Sequence, residues 1–510
     1  MAKAIMLQGT SSHVGKSILT TALCRIFKQD GLKVTPFKAQ NMALNSYVTK
    51  TGGEMGRAQV AQAEAAGLDP AVEMNPVLLK PTGNSCSQVI VMGKPVGNMS
   101  AKEYHSGYSL TALGVVTECL EKLHKDFDSI VIEGAGSPAE VNLKANDIVN
   151  MRIAKLAGAP VLLIADIDRG GALASVVGTL ELLDPDERDL VKGIIINKFR
   201  GDINLLKPAL EFLETKTGKP VVGVVPHLDR LGIDDEDSVS LEDKQQTAKT
   251  GDLDIAVLRL PKISNFTDFD ALANESDVTV RYVRQGEALG KPDLIIIPGS
   301  KNTTEDLLYL RNNGYEREII KLVKNGTPII GICGGYQMLG REVQDPEHTE
   351  SDLDKVMGLG LIDSITIFEP EKVTHQVEAT AINHSFLGIN YSGTHLKGYE
   401  IHMGRTQFLS PVDVAFTINT RSGAKVTMSD GVVSLDGLVM GTYMHGIFDN
   451  DSYRRTVLDA LRVRKGLAPL GVIRDTQALK DAAYNRLADV VRKNMDMDLV
   501  YRIMNESNGR

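Results

Sequence analysis

A glycine- and serine-rich segment near the N-terminus has the composition of a phosphate-binding loop. Gly9, Thr10 and Gly15 lie in the run GTSSHVGKS, which ends in Lys16 and Ser17 and connects an apolar run to an amphipathic stretch. Glycines let backbone N–H groups face phosphate oxygens, and the following helix adds the positive end of its dipole. Lys16 supplies a mobile positive charge and Ser17 a hydroxyl group for Mg²⁺. We therefore predict that these five residues bind a nucleotide.

Such a loop needs a metal-binding carboxylate at the end of a nearby strand, and Glu133 meets this requirement. It ends the apolar run SIVIE and precedes the small residues GAG. A carboxylate and a hydroxyl group suit Mg²⁺, so we predict Ser17 and Glu133 as metal ligands. Asn197 ends a further apolar run, where its amide could read a nucleobase edge or simply terminate a strand.

A second constellation lies around Cys333, in the run GICGGYQ. A nucleophile between glycines at a sharp strand-to-helix turn projects from the sheet, and the helix dipole favours the thiolate. The N–H group of Gly334 can donate to an oxyanion. Gly299 and Ser300, in a loop that follows the apolar run 294–297, are the candidates for the second oxyanion donor.

A cysteine nucleophile requires a base, and two histidines compete for that role. His445, in GTYMHGIFD, follows a short apolar run. His402, in GYEIHMG, is the rival. We favour His445, although the residues alone do not show which ring lies beside Cys333.

Both motifs occur where short apolar runs alternate with helix-length amphipathic segments, which is typical of parallel α/β sheets. The candidate strands are 4–7, 32–36, 129–132, 160–165, 193–196, 221–225, 255–258, 278–282, 294–297 and 328–332. Alternating apolar residues in 372–425 predict antiparallel strands. Helical periodicity predicts helices at 18–29, 452–465 and 476–505.

This pattern predicts an α/β protein with a P-loop parallel-sheet domain, a second α/β domain and a helical C-terminal tail. Residues 233–252 are acidic and polar, which indicates a linker. The expected divisions are 1–232 for the nucleotide-binding domain, 253–450 for the thiol domain and 451–510 for the helical extension.

The composition excludes several classes of protein. With 43% apolar and 24% charged residues the chain is globular, and its net charge of −9 argues against nucleic-acid or membrane-surface binding. The four cysteines form no metal-binding pattern, and we find neither a signal peptide nor a membrane span. We expect a cytoplasmic protein without nucleic-acid or membrane partners; a homo-oligomer is compatible with the sequence.

The N-terminal motifs resemble the dethiobiotin-synthetase-like nucleotide-binding family, which shares the lengthened loop and the EGAG segment. The resemblance implies that ATP, with Mg²⁺, phosphorylates a carboxylate to give an acyl phosphate. It assigns Lys38, in PFKAQNM, to neutralising transition-state charge, and it places Asn197 against the base. Relatives often carry an acidic metal ligand just after this lysine, where Gln40 and Asn41 stand here.

The run 331–337 resembles the GxCxGxQ pattern of class I glutamine amidotransferases. The resemblance implies a γ-glutamyl thioester on Cys333, release of ammonia, and glutamine binding by Gln337. In that family a glutamate usually follows the histidine by two residues, whereas Ile447 stands here. We expect Asp449 or Glu400 to orient His445 instead, or the histidine to work less well alone.

Several long strings along the chain, among them PFKAQNMALNS, GICGGYQMLG and TYMHGIFD, resemble the cobyric acid synthase family of the CobB/CobQ group. That resemblance implies amidation of the b, d, e and g carboxylates of adenosylcobyrinic acid a,c-diamide. ATP and glutamine would be co-substrates, and we expect no bound organic cofactor. The alternatives are a cobyrinic acid a,c-diamide synthase, against which Ala39-Gln40-Asn41 argues, and an ATPase switch with an inactive glutaminase-like domain.

Overall fold

A computed structural model describes residues 2–83, 85–228, 232–233, 251–382, 386–389, 391, 393 and 395–506. The chain forms two compact units, each made of segments distant in sequence. Unit 1 comprises Met1–Ala43, Met55–Ile233 and Gln477–Arg510, and unit 2 comprises Leu44–Glu54 and Asp234–Thr476. None of the described helices combines the length and the apolar composition that crossing a bilayer requires.

The strands before residue 227 build the sheets of unit 1, except for β4, which belongs to unit 2, and β5, whose first residue, Glu54, also belongs to unit 2. They are β1 (Lys3–Gly9), β2 (Val34–Phe37), β3 (Gln40–Met42), β4 (Ser46–Val48), β5 (Glu54–Gly56), β6 (Val77–Gly83), β7 (Cys86–Val91), β8 (Lys94–Ser100), β9 (Ser129–Glu133), β10 (Val161–Asp166), β11 (Val191–Phe199) and β12 (Val221–Pro226). The main sheet is parallel, in the order β12-β11-β10-β1-β9-β2. A smaller sheet has the order β3-β6-β7-β8.

Helices cover both faces of the main sheet in unit 1. The helices of this unit are Lys16–Gln29, Arg57–Ala66, Ala101–Glu103, Ser109–Asp126, Met151–Ala157, Ala172–Leu182, Pro185–Leu190, Ile203–Thr217, Thr476–Asn494 and Met497–Glu506. Side chains of β1 alternate between two buried clusters, with Met6 on one face and Leu7 on the other. The C-terminal helices complete the Leu7 cluster through Tyr484 and Leu487, so the end of the chain covers the sheet formed by its beginning.

Unit 2 contains a larger mixed sheet. The strands of this unit after residue 252 are β13 (Leu253–Leu258), β14 (Ile263–Ser264), β15 (Val278–Val283), β16 (Leu294–Ile297), β17 (Gly299–Ser300), β18 (Ile329–Ile332), β19 (Glu342–Gln344), β20 (Lys355–Met357), β21 (Ser364–Ala381), β22 (Leu396–Phe408), β23 (Asp413–Arg421), β24 (Ala424–Val433) and β25 (Val439–Thr442). The part β15-β13-β16-β18-β25 is parallel. Beyond β25, strands β21 to β24 pair antiparallel, and β14 pairs with β17 in a separate small sheet.

The helices of unit 2 are short compared with its sheet. They are Asp270–Ala273, Thr303–Asn312, Tyr315–Lys324, Gly334–Leu339 and Asp451–Arg464. The parallel strands are apolar on both faces, as buried parallel strands must be, and fill two cores around Ile296 and Ile295.

The predicted α/β architecture is confirmed, and the predicted strands differ from the observed ones only at their ends. The continuous helix predicted over 476–505 is wrong, because the chain turns at Met495 and Asp496. The Asp496 carboxylate accepts from the N–H of Leu499 at 2.9 Å and so starts a new helix. Of the predicted linker, only residues 233, 251 and 252 lie within the described part of the chain.

Leu487→Ala should lower the stability of the chain, because it leaves a cavity between the helix Thr476–Asn494 and the sheet. Truncating a fully buried leucine costs about 2–5 kcal/mol. The midpoint of urea unfolding measures the effect. Leu479→Ala is the matched control, since Leu479 lies on the same helix with 41% of its surface exposed. Equal midpoints for the two variants would contradict the packing of this helix on the sheet.

Candidate active sites

The loop between β1 and the helix Lys16–Gln29 has a backbone suited to an anion. Gly15 has a φ of 100°, and a Cβ at this position would lie 2.2 Å from Asn197 Nδ2, so only glycine fits. The Lys16 ammonium folds back over the loop and donates to the carbonyls of Ser11 at 3.0 Å and Gly136 at 2.9 Å. These are contacts that a phosphate group could replace.

Glu133 brings Ser17 and Lys38 together at the carboxyl end of β9. Its Oε1 accepts from Ser17 Oγ at 2.8 Å and from Lys38 Nζ at 2.8 Å. The carboxylate is only 1% exposed, so the lysine charge offsets the cost of burying it. The parallel pairing of β1 with β9 places Leu7 opposite Glu133, and this register puts the carboxylate beside the loop.

Gln59 and Gln62, which were not among the predicted site residues, also contact Glu133. Gln62 Nε2 donates to Glu133 Oε2 at 2.6 Å, and Gln59 Nε2 lies 3.4 Å from the same oxygen. Their spacing of three residues places both on one face of the helix Arg57–Ala66. The sequence carried only one signal for them, two glutamines at helical spacing in RAQVAQAEAA.

Asn197 and Thr10 are held by the protein around the loop. The Asn197 amide donates to the Val14 carbonyl at 2.7 Å. The N–H of Thr10 donates to the Ile164 carbonyl of β10 at 2.9 Å. Gly9 ends β1 directly before this turn, so neighbouring strands hold both ends of the loop.

Cys333 lies at a strained turn between β18 and the helix Gly334–Leu339. Its φ of 52° and ψ of −109° are unusual for a residue with a side chain. The turn is tightly packed: a Cβ on Gly335 would lie 2.0 Å from the Ile297 carbonyl oxygen. The Cys333 thiol lies 3.5 Å from the carbonyl oxygen of Ile401.

The predicted oxyanion residues lie next to this turn. Gly299 and Ser300 form β17, and a Cβ on Gly334 would lie 2.9 Å from the Ser300 nitrogen. Ser300 Oγ donates to Asp306 Oδ2 at 2.6 Å, which fixes the loop. The backbone nitrogen of Ser300 therefore lies beside the residue that follows Cys333.

A carboxylate that was not among the predicted site residues, Asp268, holds His445 in place. Asp268 Oδ2 accepts from His445 Nδ1 at 2.6 Å, and both side chains are buried. Asp268 Oδ1 also accepts from the N–H of Gly446 at 3.0 Å. The prediction that Asp449 or Glu400 orients the ring is wrong, because Asp268 occupies Nδ1 and Glu400 pairs with Arg421 at 2.8 Å.

The environment of His445 favours the imidazolium form. Burial by itself would lower its pKa, but the Asp268 carboxylate and the Cys333 side chain outweigh burial and raise the pKa of His445 to about 10. A protonated imidazole beside a thiol stabilises the thiolate, which is the nucleophilic form. Asp268, His445 and Cys333 are thus arranged in the way that an orienting acid, a base and a nucleophile require.

His402, the rival base, is held in a different way. Its ring stacks on Tyr443 with centroids 3.9 Å apart, and its Nδ1 lies 2.9 Å from the Gly404 carbonyl oxygen. Burial lowers the pKa of His402 to about 3, so it stays neutral at physiological pH. These contacts favour His445 as the partner of Cys333.

Gln337 lies one helical turn beyond the nucleophile, with its side chain 2% exposed. Thr303 Oγ1 donates to Gln337 Oε1 at 2.9 Å, and Gln337 Nε2 lies 3.5 Å from the Tyr443 hydroxyl. If Gln337 binds the substrate glutamine, it would do so from a position held by Thr303 and Tyr443.

Asp268→Asn should slow alkylation of Cys333 by iodoacetamide at pH 7 by about tenfold or more. Without the carboxylate the pKa of His445 falls, and the neutral imidazole no longer stabilises the thiolate. The rate should then recover only as the pH rises, whereas in the unaltered protein it stays high from neutral pH upward. Peptide mass spectrometry assigns the modification to Cys333 rather than to the other cysteines.

Asp449→Asn is the matched control, since it makes the same chemical change on an exposed side chain four residues after His445. It should leave the pH dependence of alkylation unchanged. Identical pH profiles for both variants would contradict the role of Asp268.

Known proteins match the chain along its length. Residues 5–240 match the family model of the CobQ/CobB/MinD/ParA nucleotide binding domain, and residues 254–453 match that of the CobB/CobQ-like glutamine amidotransferase domain. The cobyric acid synthase of Pelotomaculum thermopropionicum is 58% identical over 99% of this chain and 97% of the relative. Those of Moorella thermoacetica and Desulforamulus reducens are 56% and 52% identical, covering 99% and 100% of this chain and 98% and 99% of the relatives. The chain belongs to the cobyric acid synthase family and is an ATP-dependent, glutamine-hydrolysing amidoligase.

Proposed function

We propose that this enzyme amidates the b, d, e and g side-chain carboxylates of adenosylcobyrinic acid a,c-diamide, giving adenosylcobyric acid in cobalamin biosynthesis. The substrate follows from the relatives that are named cobyric acid synthases, and one structural observation supports the reaction. A single chain holds a Cys–His–Asp triad able to release ammonia and a lysine–carboxylate cluster, at a phosphate loop, able to use ATP.

Glutamine hydrolysis uses unit 2. The Cys333 thiolate attacks the side-chain amide carbon of glutamine, and the developing oxyanion takes hydrogen bonds from the N–H groups of Gly334 and of the Gly299–Ser300 loop. His445 donates its proton to the leaving nitrogen, and ammonia departs. Water then cleaves the thioester with His445 as base, which releases glutamate and restores the thiol.

Amide formation uses unit 1. A carboxylate is a poor electrophile, because its oxygen is a bad leaving group, and phosphorylation by ATP corrects this. The carboxylate oxygen attacks the γ-phosphorus atom, ADP leaves, and ammonia then displaces phosphate from the acyl phosphate. Lys16 and Lys38 offset the negative charge that develops on the transferred phosphoryl group.

Ser17 and Glu133 would hold Mg²⁺. Their oxygens lie 2.8 Å apart, and a hydroxyl group and one carboxylate are the oxygen donors that Mg²⁺ takes alongside nucleotide phosphates. When bound, the ion would neutralise charge on the β- and γ-phosphates. Among the described residues no group of three or more His, Cys, Asp and Glu side chains could hold a metal ion.

A pocket of about 580 Å³ in unit 1 is the candidate site for the carboxylate substrate. Gly136, whose carbonyl accepts from Lys16, lines this pocket, so the pocket adjoins the phosphate loop. Gln40 and Tyr104 hydrogen-bond to each other in its wall. Met42 and Leu143 line it with 57% and 40% of their surfaces exposed, which offers apolar contact to a corrin ring.

Cys333→Ala should abolish amidation from glutamine and retain amidation from added ammonium salt, because unit 1 needs only ammonia. Lys16→Ala should prevent amidation from either nitrogen source, because no acyl phosphate forms. The measurement is product mass after incubation with adenosylcobyrinic acid a,c-diamide, ATP and Mg²⁺. Each carboxylate converted to an amide lowers the mass of the product slightly, because an NH₂ group replaces an OH group, so the size of the decrease counts the amides formed.

The outcomes discriminate the alternatives. Loss of the ammonia-supported reaction in Cys333→Ala would contradict the division of labour, and product formation by Lys16→Ala would contradict the phosphate-loop assignment. Amidation of cobyrinic acid itself in place of its a,c-diamide would identify an a,c-diamide synthase. An unaltered protein inactive on both substrates would favour an ATPase switch.

Met42→Gln should raise KM for the corrinoid by about fivefold while leaving KM for ATP unchanged, because the exposed methionine offers apolar contact to the ring. Initial rates with ammonia as nitrogen source measure both constants. Leu205→Gln is the control, since Leu205 is an exposed apolar residue of unit 1, 83% accessible, outside the pocket lining. An unchanged corrinoid KM in Met42→Gln would contradict this placement of the substrate.

A further inference from the structure

A short run from the N-terminal part of the chain belongs to unit 2. Leu44–Glu54 lies within the part of the chain that matches the nucleotide-binding family model, and outside residues 254–453, which match the amidotransferase model. It is nevertheless firmly attached to the unit that carries Cys333. The buried carboxylate of Glu54 pairs with Lys372 at 2.6 Å, and Ser46 Oγ donates to Glu54 Oε1 at 2.9 Å.

Strand β4 of this run forms a small apolar cluster with strand β22. The cluster consists of Val48, Tyr399 and Ile401, which are 0%, 4% and 7% exposed. Tyr47 packs against Tyr399 with ring centroids 5.2 Å apart. The Tyr399 hydroxyl lies 3.4 Å from the carbonyl oxygen of Ser46.

The two β22 members of this cluster also contact the catalytic pair. The Tyr399 ring stacks on His445 with centroids 5.1 Å apart and planes inclined by 16°. The two backbones exchange N–H···O hydrogen bonds of 3.2 and 2.9 Å. The carbonyl of Ile401 lies 3.5 Å from the Cys333 thiol. Val48 therefore packs behind Tyr399, which stacks on His445, and behind Ile401, whose carbonyl lies near Cys333.

We propose that strand β4 (Ser46–Val48) is a positioning element of the glutaminase site, acting through Tyr399 and Ile401. The inference rests on the proposed function for its catalytic consequence and on the cluster for its geometry. Asp268 and Cys333 contact the edge of the His445 ring, and such contacts leave the ring free to tilt about the axis that joins them. The stacked Tyr399 ring blocks the tilt, and Val48 and Tyr47 prevent Tyr399 from moving away.

Val48→Ala tests the proposal in the full-length enzyme. It should lower kcat for glutamine hydrolysis by roughly tenfold or more, with little change in KM, because misplacement of the base acts on the chemical step. Alkylation of Cys333 by iodoacetamide should slow in parallel. Ammonia-dependent amidation should stay unchanged in Val48→Ala. The separate variant Val48→Ile, which keeps a branched apolar side chain, should retain glutamine turnover.

The control is Val278→Ala, which makes the same truncation on the edge strand β15. It measures the effect of a buried cavity that does not touch Cys333 or His445. Glutamine hydrolysis and ammonia-dependent amidation should both be retained. Tyr47→Ala provides a second truncation of the cluster if Val48→Ala unfolds, and it should also slow alkylation and glutamine turnover.

A kcat and an alkylation rate for Val48→Ala and Tyr47→Ala equal to those of Val278→Ala would overturn the proposal. An unaltered enzyme without glutamine turnover would overturn the proposed function instead. In that case the alkylation of Cys333 remains as the test. A rate slower in Val48→Ala than in Val278→Ala would still support the positioning role, and an equal rate would overturn it.

Discussion

Both sites depend on the fact that parallel strands end at the same edge of their sheet. In unit 1, β1 and β9 are neighbours, so the phosphate loop and Glu133 emerge side by side. In unit 2, β16, β18 and β25 are consecutive, so the Gly299 loop, Cys333 and the segment that leads to His445 leave the sheet together. Each strand delivers one functional group to a common edge, and the hydrogen-bonded register fixes the spacing between them.

Burial then determines what these groups can do. Glu133 and Asp268 are carboxylates almost removed from solvent, and each is compensated by a cation, Lys38 in one site and His445 in the other. Desolvation strengthens both pairings, because little water screens the charges. In unit 2 the Asp268 carboxylate, together with the Cys333 side chain, raises the pKa of His445 to about 10. In unit 1 the Glu133 carboxylate holds the Lys38 ammonium and the Ser17 hydroxyl group together beside the phosphate loop.

The boundaries of the units in space differ from those of contiguous sequence blocks. The helices after residue 476 complete the apolar face of unit 1, while Leu44–Glu54 leaves the nucleotide-binding segment and packs in unit 2. The latter run follows directly on Lys38, Gln40 and Met42 in the chain. A single continuous stretch thus contributes to the phosphate site, to the wall of the pocket and to the packing behind His445.

Local information was sufficient for much of this protein. Short apolar runs located most of the parallel strands of the two large sheets but missed strands β3 to β8. The phosphate loop and the cysteine turn were readable because glycines, a nucleophile and a cation must lie within a few consecutive residues. Asp268 was not predictable, since it precedes His445 by 177 residues and no spacing rule joins two loops that meet only through sheet topology. The same reason hid the partnership of Val48 with Tyr399. The sequence by itself determined which residues can do chemistry; the tertiary structure decided which carboxylate orients the base, because orientation depends on contacts between distant segments.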